Sequence, residues 1–204
     1  LLELKKPPKS MVIIGGGYIA AEYSHFFSSI GSDVTIVQRN VRLLPEEEPE
    51  ISELLKEEMG KRIKIFTNYE VVEVKEKNGF KTVTARNREN SSLKEFSAEV
   101  LLIAAGRFPN SDLLKPEKTG VEVDEQGYVK VNEYLETKKK NIWAFGDANG
   151  KYLFKHAANY ESMVVYYNAV LKRRVAVDYH AVPHAVFTYP EISSVGLRET
   201  EAIH

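Results

Sequence analysis

Met11-Val12-Ile13-Ile14-Gly15-Gly16-Gly17-Tyr18-Ile19-Ala20 is an apolar run that stops at three glycines and passes directly into a helical pattern. Ile19, Tyr23, Phe26, Phe27 and Ile30 follow at spacings of 4, 3, 1 and 3 residues, the period of one helix face. Gly31 supplies a C′ stop, and Asp33-Val34-Thr35-Ile36-Val37 reads as a second buried strand. Strand, helix and strand in this order form a βαβ unit, which sets the fold class as α/β with a parallel sheet. Within it, Gly15 to Ala20 fits G-x-G-x-x-A. Gly15 permits the tight turn, Gly17 lets backbone approach a pyrophosphate, and small Ala20 allows close helix–strand packing. The helix start offers free N–H groups and a positive dipole end to an anion. A turn that merely joins strand to helix is the alternative, and the strand before and helix after it argue for the nucleotide.

A site for NAD usually carries Asp or Glu about 20 residues on, at the end of the second strand, to hold the ribose 2′-hydroxyl. This sequence has Gln38 there, followed by Arg39 and Arg42. With no carboxylate to repel it, a 2′-phosphate could pair with either arginine, which leans the reading from NAD toward NADP. Both arginines could equally be solvated surface charges.

Further out, Pro45 to Pro49 is acidic and breaks the chain, and Ile51, Leu54, Leu55 and Met59 fall on one face of a helix ended by Gly60. Residues 62–66 and 71–75 alternate as strands, Asn78-Gly79 is a type I′ hairpin signal, and 80–86 returns as partner. The expectation is an antiparallel meander over 62–86. Val100 to Gly106 resumes a buried, parallel-type strand. A small hairpin is expected over 121–131, a strand over Asn141 to Phe145, and a helix over His156 to Leu171.

Composition narrows the classes of function. The 204 residues carry 28 Lys+Arg against 29 Asp+Glu, and a net charge of −1 argues against nucleic acid as a partner. No apolar stretch approaches the length of a spanning helix, so no membrane role is expected. The absence of cysteine removes thiol chemistry from these residues and fits a reducing, cytoplasmic setting. His180 and His184 straddle Pro183 in an extended segment, which speaks against a shared metal. His25, in mid-helix, is expected at the surface or hydrogen-bonded.

Four ordered motifs then resemble one family. Gly15 to Glu22, Leu102 to Asn110, Ile142 to Asp147, and Val182 to Thr188 with Val195-Gly196-Leu197 are similar, in that order, to the flavoprotein pyridine nucleotide–disulfide oxidoreductases. Within the family the sequence looks most like dihydrolipoamide dehydrogenases of archaeal type. Ile19 to Phe27 and Leu153 to Asn159 also resemble mycothione reductase, and mercuric reductase is a further relative.

The resemblance implies a Rossmann-like NAD(P)-binding domain with an antiparallel meander over 10–131, after a linker at 1–9. It implies a return that completes part of an FAD-binding domain over 132–179, then the start of an α+β dimerisation domain over 180–204. Gly15, Gly17, Ile19 and Ala20 would line the dinucleotide, and Gln38, Arg39 and Arg42 its ribose end. Tyr18 would gate the nicotinamide pocket, or else be a core aromatic. Glu22 would contact the carboxamide, or else be a solvated first-turn acid. Gly106 would lie against the nucleotide. Gly146 and Asp147 would meet the ribityl chain of FAD, and the segment with Phe154 would meet the flavin's pyrimidine edge. His156 reads as structural.

The family's N-terminal FAD portion with its cysteine pair, and the rest of the dimerisation domain with its His–Glu acid–base pair, have no counterpart in the motifs found. They are expected as partner segments of a longer parent chain, a homodimer at full length. This stretch alone is then expected to bind NAD(P)(H), to hold no catalytic residue and no metal, and to lack disulfide reductase activity. The competing class is a stand-alone nucleotide-binding module, which has no reason to keep Gly146-Asp147.

Overall fold

The computed structural model describes residues 1–203, so His204, the last residue of the expected segment 180–204, lies outside them. The chain divides into two compact units, one of Leu1–Gly106 together with the stretch from Ala185, the other of Arg107–His184.

In the first unit, β1 (Ser10–Ile14) is flanked in parallel by β2 (Asp33–Val37) and β7 (Val100–Ile103), and β3 (Lys64–Phe66) lies outside β2. The order β3-β2-β1-β7 reverses direction between β1 and β7, which opens a crevice beyond the carboxyl ends of those two strands. Alternate residues of β1 face opposite layers. Met11 and Ile13, with Val34 and Ile36, pack on α1 (Tyr18–Ser29) and α2 (Pro49–Gly60) through Ala20, Ala21, Phe27, Leu55 and Met59. Val12 and Val37 instead meet Val83, Ala85, Phe96 and Ala98 of a three-stranded antiparallel sheet, β4 (Tyr69–Lys77), β5 (Phe80–Asn87) and β6 (Leu93–Ala98). Coverage on both faces explains why the runs 11–14 and Val100–Ile103 are apolar throughout.

Helix α1 approaches the sheet closely because Ala20 and Ala21 are wholly buried there. It ends in a Schellman motif: Gly31 N–H donates to Ser28 and Ser32 N–H to Phe27, with Gly31 at φ +97°. Asn78 and Gly79 both have positive φ, 53° and 80°, as a type I′ turn requires.

Several expectations are corrected. The meander does not start at 62, since Lys64–Phe66 pairs in parallel with Thr35–Val37; it occupies 69–98 and includes β6. A three-residue strand has too little period to announce its sheet, and Lys94-Glu95 interrupts the apolar signal of β6. On α2 the buried stripe is Ser52, Leu55 and Met59, while Leu54 is exposed. Ser52 is tolerated inside because its hydroxyl donates to the Leu44 carbonyl at 3.1 Å. The run Val100 to Gly106 is strand only to Ile103. Two short strands near the end of the described residues, β8 (His184–Val186) and β9 (Ile192–Ser194), pair with each other. Val186 and Ile192 join the core of the first unit.

The second unit is built from short pieces. Val123 bridges Val129 across the expected small hairpin. Asn141 to Phe145 forms no ladder; only Glu136 bridges Trp143, with two flanking backbone bonds from Thr137 and Ala144. After the one-turn helix α3 (Pro116–Thr119), helix α4 (Lys155–Val165) starts one residue early and widens into a π turn over Tyr166–Val170. Asn168 in that turn is buried, and its side chain bonds Tyr134 O, Val175 O and Val175 N–H.

Candidate functional site

At the end of β1 the chain turns through Gly15 at φ +119°, a conformation that favours glycine. A Cβ there would stand 2.2 Å from the Ala104 carbonyl oxygen, so β1 and β7 approach as closely as bare backbone allows. Ala104 N–H donates to Ile14 O at 2.8 Å and Gly15 N–H to Val37 O at 2.9 Å, which locks the turn between its neighbours. Gly17, by contrast, faces open space, as does Gly106 at φ +125°. Gly17 is the N-cap of α1, and that helix start has neither a capping side chain nor an acidic residue in its first turn. A helix start of this kind presents a positive dipole end, the feature that suits an anion. Ala20 is buried in the core, where it sets helix–sheet distance.

Gln38 stands where β2 ends, buried beneath the turn: a Cβ on Gly16 would lie 2.7 Å from its side chain. Its amide donates to the Arg42 carbonyl at 3.3 Å, and Leu44 N–H donates to Gly16 O at 2.7 Å. The loop 39–44 is thereby folded back beside the glycine turn. Arg39 is exposed and Arg42 half-buried, and among the described residues neither guanidinium forms a salt bridge.

Tyr18 is half-buried and packs against the core of the first unit, and Ile19 follows in the first turn, also half-buried. The Glu22 carboxylate accepts the Phe187 N–H at 3.1 Å, a contact the sequence did not announce. His25 departs from expectation, since its buried Nδ1 has no hydrogen-bond partner.

The second unit holds the other predicted residues. Gly146 and Asp147 form a 3-10 turn, Gly146–Ala148, with Gly146 at φ +65° and space for a Cβ only 2.9 Å from Ala158 Cβ. Asp147 is exposed and bonds Arg107 at 2.9 Å, while the same guanidinium donates to Leu153 O at 2.9 Å. Phe154 is the N-cap of α4, again a helix start without a capping side chain or first-turn acid. Its ring lies between His156 and His184, stacked at 5.5 and 5.4 Å. His156 also bonds Pro183 O at 2.7 Å, and His180 pairs with Asp178. Among the described residues no cluster of three His, Asp or Glu is placed to hold a metal.

Two residues that the sequence reading did not single out join this unit's polar core. Glu161, wholly buried, accepts hydrogen bonds from Gly146 N–H, the Asn149 side chain and the Tyr179 hydroxyl. Burial and the Glu161 carboxylate raise the Tyr179 phenol above its ordinary range, so it remains the donor.

Parallel strands reversing order over a glycine turn and an uncapped helix define a dinucleotide-binding α/β domain. The chain belongs to the pyridine nucleotide-disulphide oxidoreductase family, whose model matches residues 1–171. Members of this family use FAD and a nicotinamide dinucleotide. The chain is 38% identical over 204 residues to mercuric reductase of Staphylococcus aureus, covering 98% of itself and 37% of that protein. It is 36% identical to mycothione reductase of Mycobacterium tuberculosis, covering all of itself and 44% of the relative. Against dihydrolipoyl dehydrogenase of Synechocystis the identity is 35%, with 98% and 44% covered. The HOCl-induced flavoprotein disulfide reductase RclA from Escherichia coli superposes with a TM-score of 0.87 at 30% identity, over 99% of this chain and 46% of that one. The chain thus spans about two fifths of the length of the curated relatives it matches. No helix of the described residues is long and apolar enough to cross a membrane.

Proposed function

We propose that this chain is the nicotinamide-dinucleotide-binding portion, with part of the FAD site, of an FAD-dependent NAD(P)H:disulfide oxidoreductase of the dihydrolipoyl dehydrogenase type. The observation that carries the reading is the glycine turn. Gly15 is forced against Ala104, while Gly17 and Gly106 leave open the space a side chain would fill. A pyrophosphate fits that cradle, at the N-terminal end of α1 where the helix dipole is positive. Bound there, the nicotinamide supplies the hydride chemistry of the reaction, and the protein supplies position and field.

The residues act as follows. Gly15 and Ala20 hold turn and helix close to the sheet, and Gly17 lets the backbone meet the phosphates. Ile19 lines the start of the helix. Tyr18 covers the nicotinamide end, and Glu22, already accepting Phe187 N–H, offers a carboxylate near the carboxamide. In the second unit Gly146, Asp147 and the helix start at Phe154 take the flavin nucleotide, with Asp147 accepting from the ribityl chain. We assign 10–131 to the NAD(P) domain, 132–179 to the FAD domain's return and 180–204 to the start of the dimerisation domain of a cytoplasmic homodimer.

One observation favours a second reading, an NADPH-dependent reductase of mycothione or mercuric type. Gln38 occupies the place of the usual carboxylate, and Arg42 is tethered beside the glycine turn. Calorimetric titration of the full-length protein with NADH and NADPH at fixed ionic strength decides between them. Tighter NADH binding supports the dihydrolipoyl dehydrogenase reading, tighter NADPH binding the reductase, and binding of neither removes the proposal.

A further inference from the structure

Glu161 lies in the middle of α4 and is wholly buried, yet none of the roles assigned above uses it. Burying a carboxylate is costly unless its oxygens are satisfied. Here they are, by neutral donors only. One oxygen accepts Gly146 N–H at 2.5 Å and Asn149 Nδ2 at 3.0 Å, and the other accepts the Tyr179 hydroxyl at 2.6 Å. Every facing group donates, so both carboxylate oxygens are used as acceptors. Two of the three donors belong to the 3-10 turn and its C-cap, Gly146 to Asn149, and Asp147 sits between them. Asp147 itself reaches outward to Arg107, whose other nitrogen is fixed on Leu153 O.

The turn is therefore gripped from beneath by Glu161 and from the rim by Arg107. Gly146 is also held at positive φ against Ala158, one helical turn before Glu161, so the helix face shapes the backbone at the residue it bonds. We infer that Glu161 is a positioning residue for flavin binding: its buried carboxylate fixes the Gly146–Asn149 turn so that Asp147 is presented to the ribityl chain. This rests on the reading that Asp147 belongs to a flavin site.

The test uses the full-length protein and two ligands, FAD and NADPH, the second reporting on the other compact unit. Wild type must first hold FAD; if it holds none, the flavin reading fails, and this inference with it. In wild type that holds FAD, three variants are compared by FAD dissociation constant and by the visible flavin spectrum. Glu161→Ala removes the acceptor, and Glu161→Leu removes it while filling the volume. Both are expected to weaken FAD by about 10- to 100-fold and to alter the spectrum, with NADPH affinity unchanged within about twofold. Glu161→Gln is expected to rescue: its oxygen can take Gly146 and Asn149 while its amide donates to a turned Tyr179 hydroxyl. Unchanged FAD affinity in the Ala and Leu variants overturns the inference. So does a parallel loss of NADPH binding in both, which would make Glu161 a residue of general stability, and so does a Gln variant as impaired as Ala.

Discussion

Gly15 and Ala104 meet so closely that a single methyl group on Gly15 would sit 2.2 Å from the Ala104 carbonyl oxygen. The obstacle is backbone one residue beyond the neighbouring strand, which cannot swing aside as a side chain would. At φ +119° any L side chain is strained as well, by about 1–3 kcal/mol. Gly15→Ala is therefore expected to destabilise the first unit by at least about 3 kcal/mol and to abolish dinucleotide binding. Urea unfolding read alongside NADPH titration checks both; a variant of native stability would show that β1 and β7 are not so tightly opposed.

Gly17 separates ligand from fold. It has φ −81°, ordinary for any residue, and open space where a Cβ would go. Gly17→Asp installs a favourable N-cap on a helix that has none, worth about 0.5 kcal/mol of stability. The same carboxylate stands where the pyrophosphate is proposed to lie. The melting temperature should hold or rise while NAD(P)H affinity drops by at least about 100-fold. Retained affinity would move the phosphates elsewhere.

The contrast between these glycines shows what the sequence carried. The strand–turn–helix signal at 11–37 is local, written in consecutive residues with one clear period, and it placed β1, α1 and β2 closely. The partner of Lys64–Phe66 was not legible, because three residues cannot specify which of two sheets they join. Glu161 gave no signal either: a glutamate between Tyr160 and Ser162 on a polar helix face looks solvated until Gly146, Asn149 and Tyr179 converge on it from 12 to 18 residues away. Elements made of consecutive residues were readable, and contacts assembled across loops were not.

Dinucleotide choice should turn on the loop that Gln38 tethers. If Arg42 pairs with a 2′-phosphate, Arg42→Ala costs a charge-assisted bond, weakening NADPH about 10- to 100-fold and NADH by less than about threefold. Gln38→Glu removes the donor to Arg42 O and puts a negative charge under the same phosphate, so it should shift preference toward NADH in the same sense. Equal effects on both nucleotides in titration would return the arginine to the solvated surface.

Tyr179 gives the second unit an alkaline limit. Its phenol is raised above its usual value, first by burial and then by the bond to Glu161. The folded state therefore keeps its proton where the unfolded chain, titrating near about pH 10, loses it. By linkage the stabilisation is complete below about pH 10 and disappears as pH climbs through the higher folded value. Urea midpoints measured from pH 9 to 11.5 should fall more steeply for the wild type than for Tyr179→Phe, which has no proton to lose. Phenolate absorbance should show one tyrosine missing from the native titration until the fold gives way. Parallel curves for the two proteins would mean that Tyr179 ionises freely and that its bond to Glu161 is not maintained in solution.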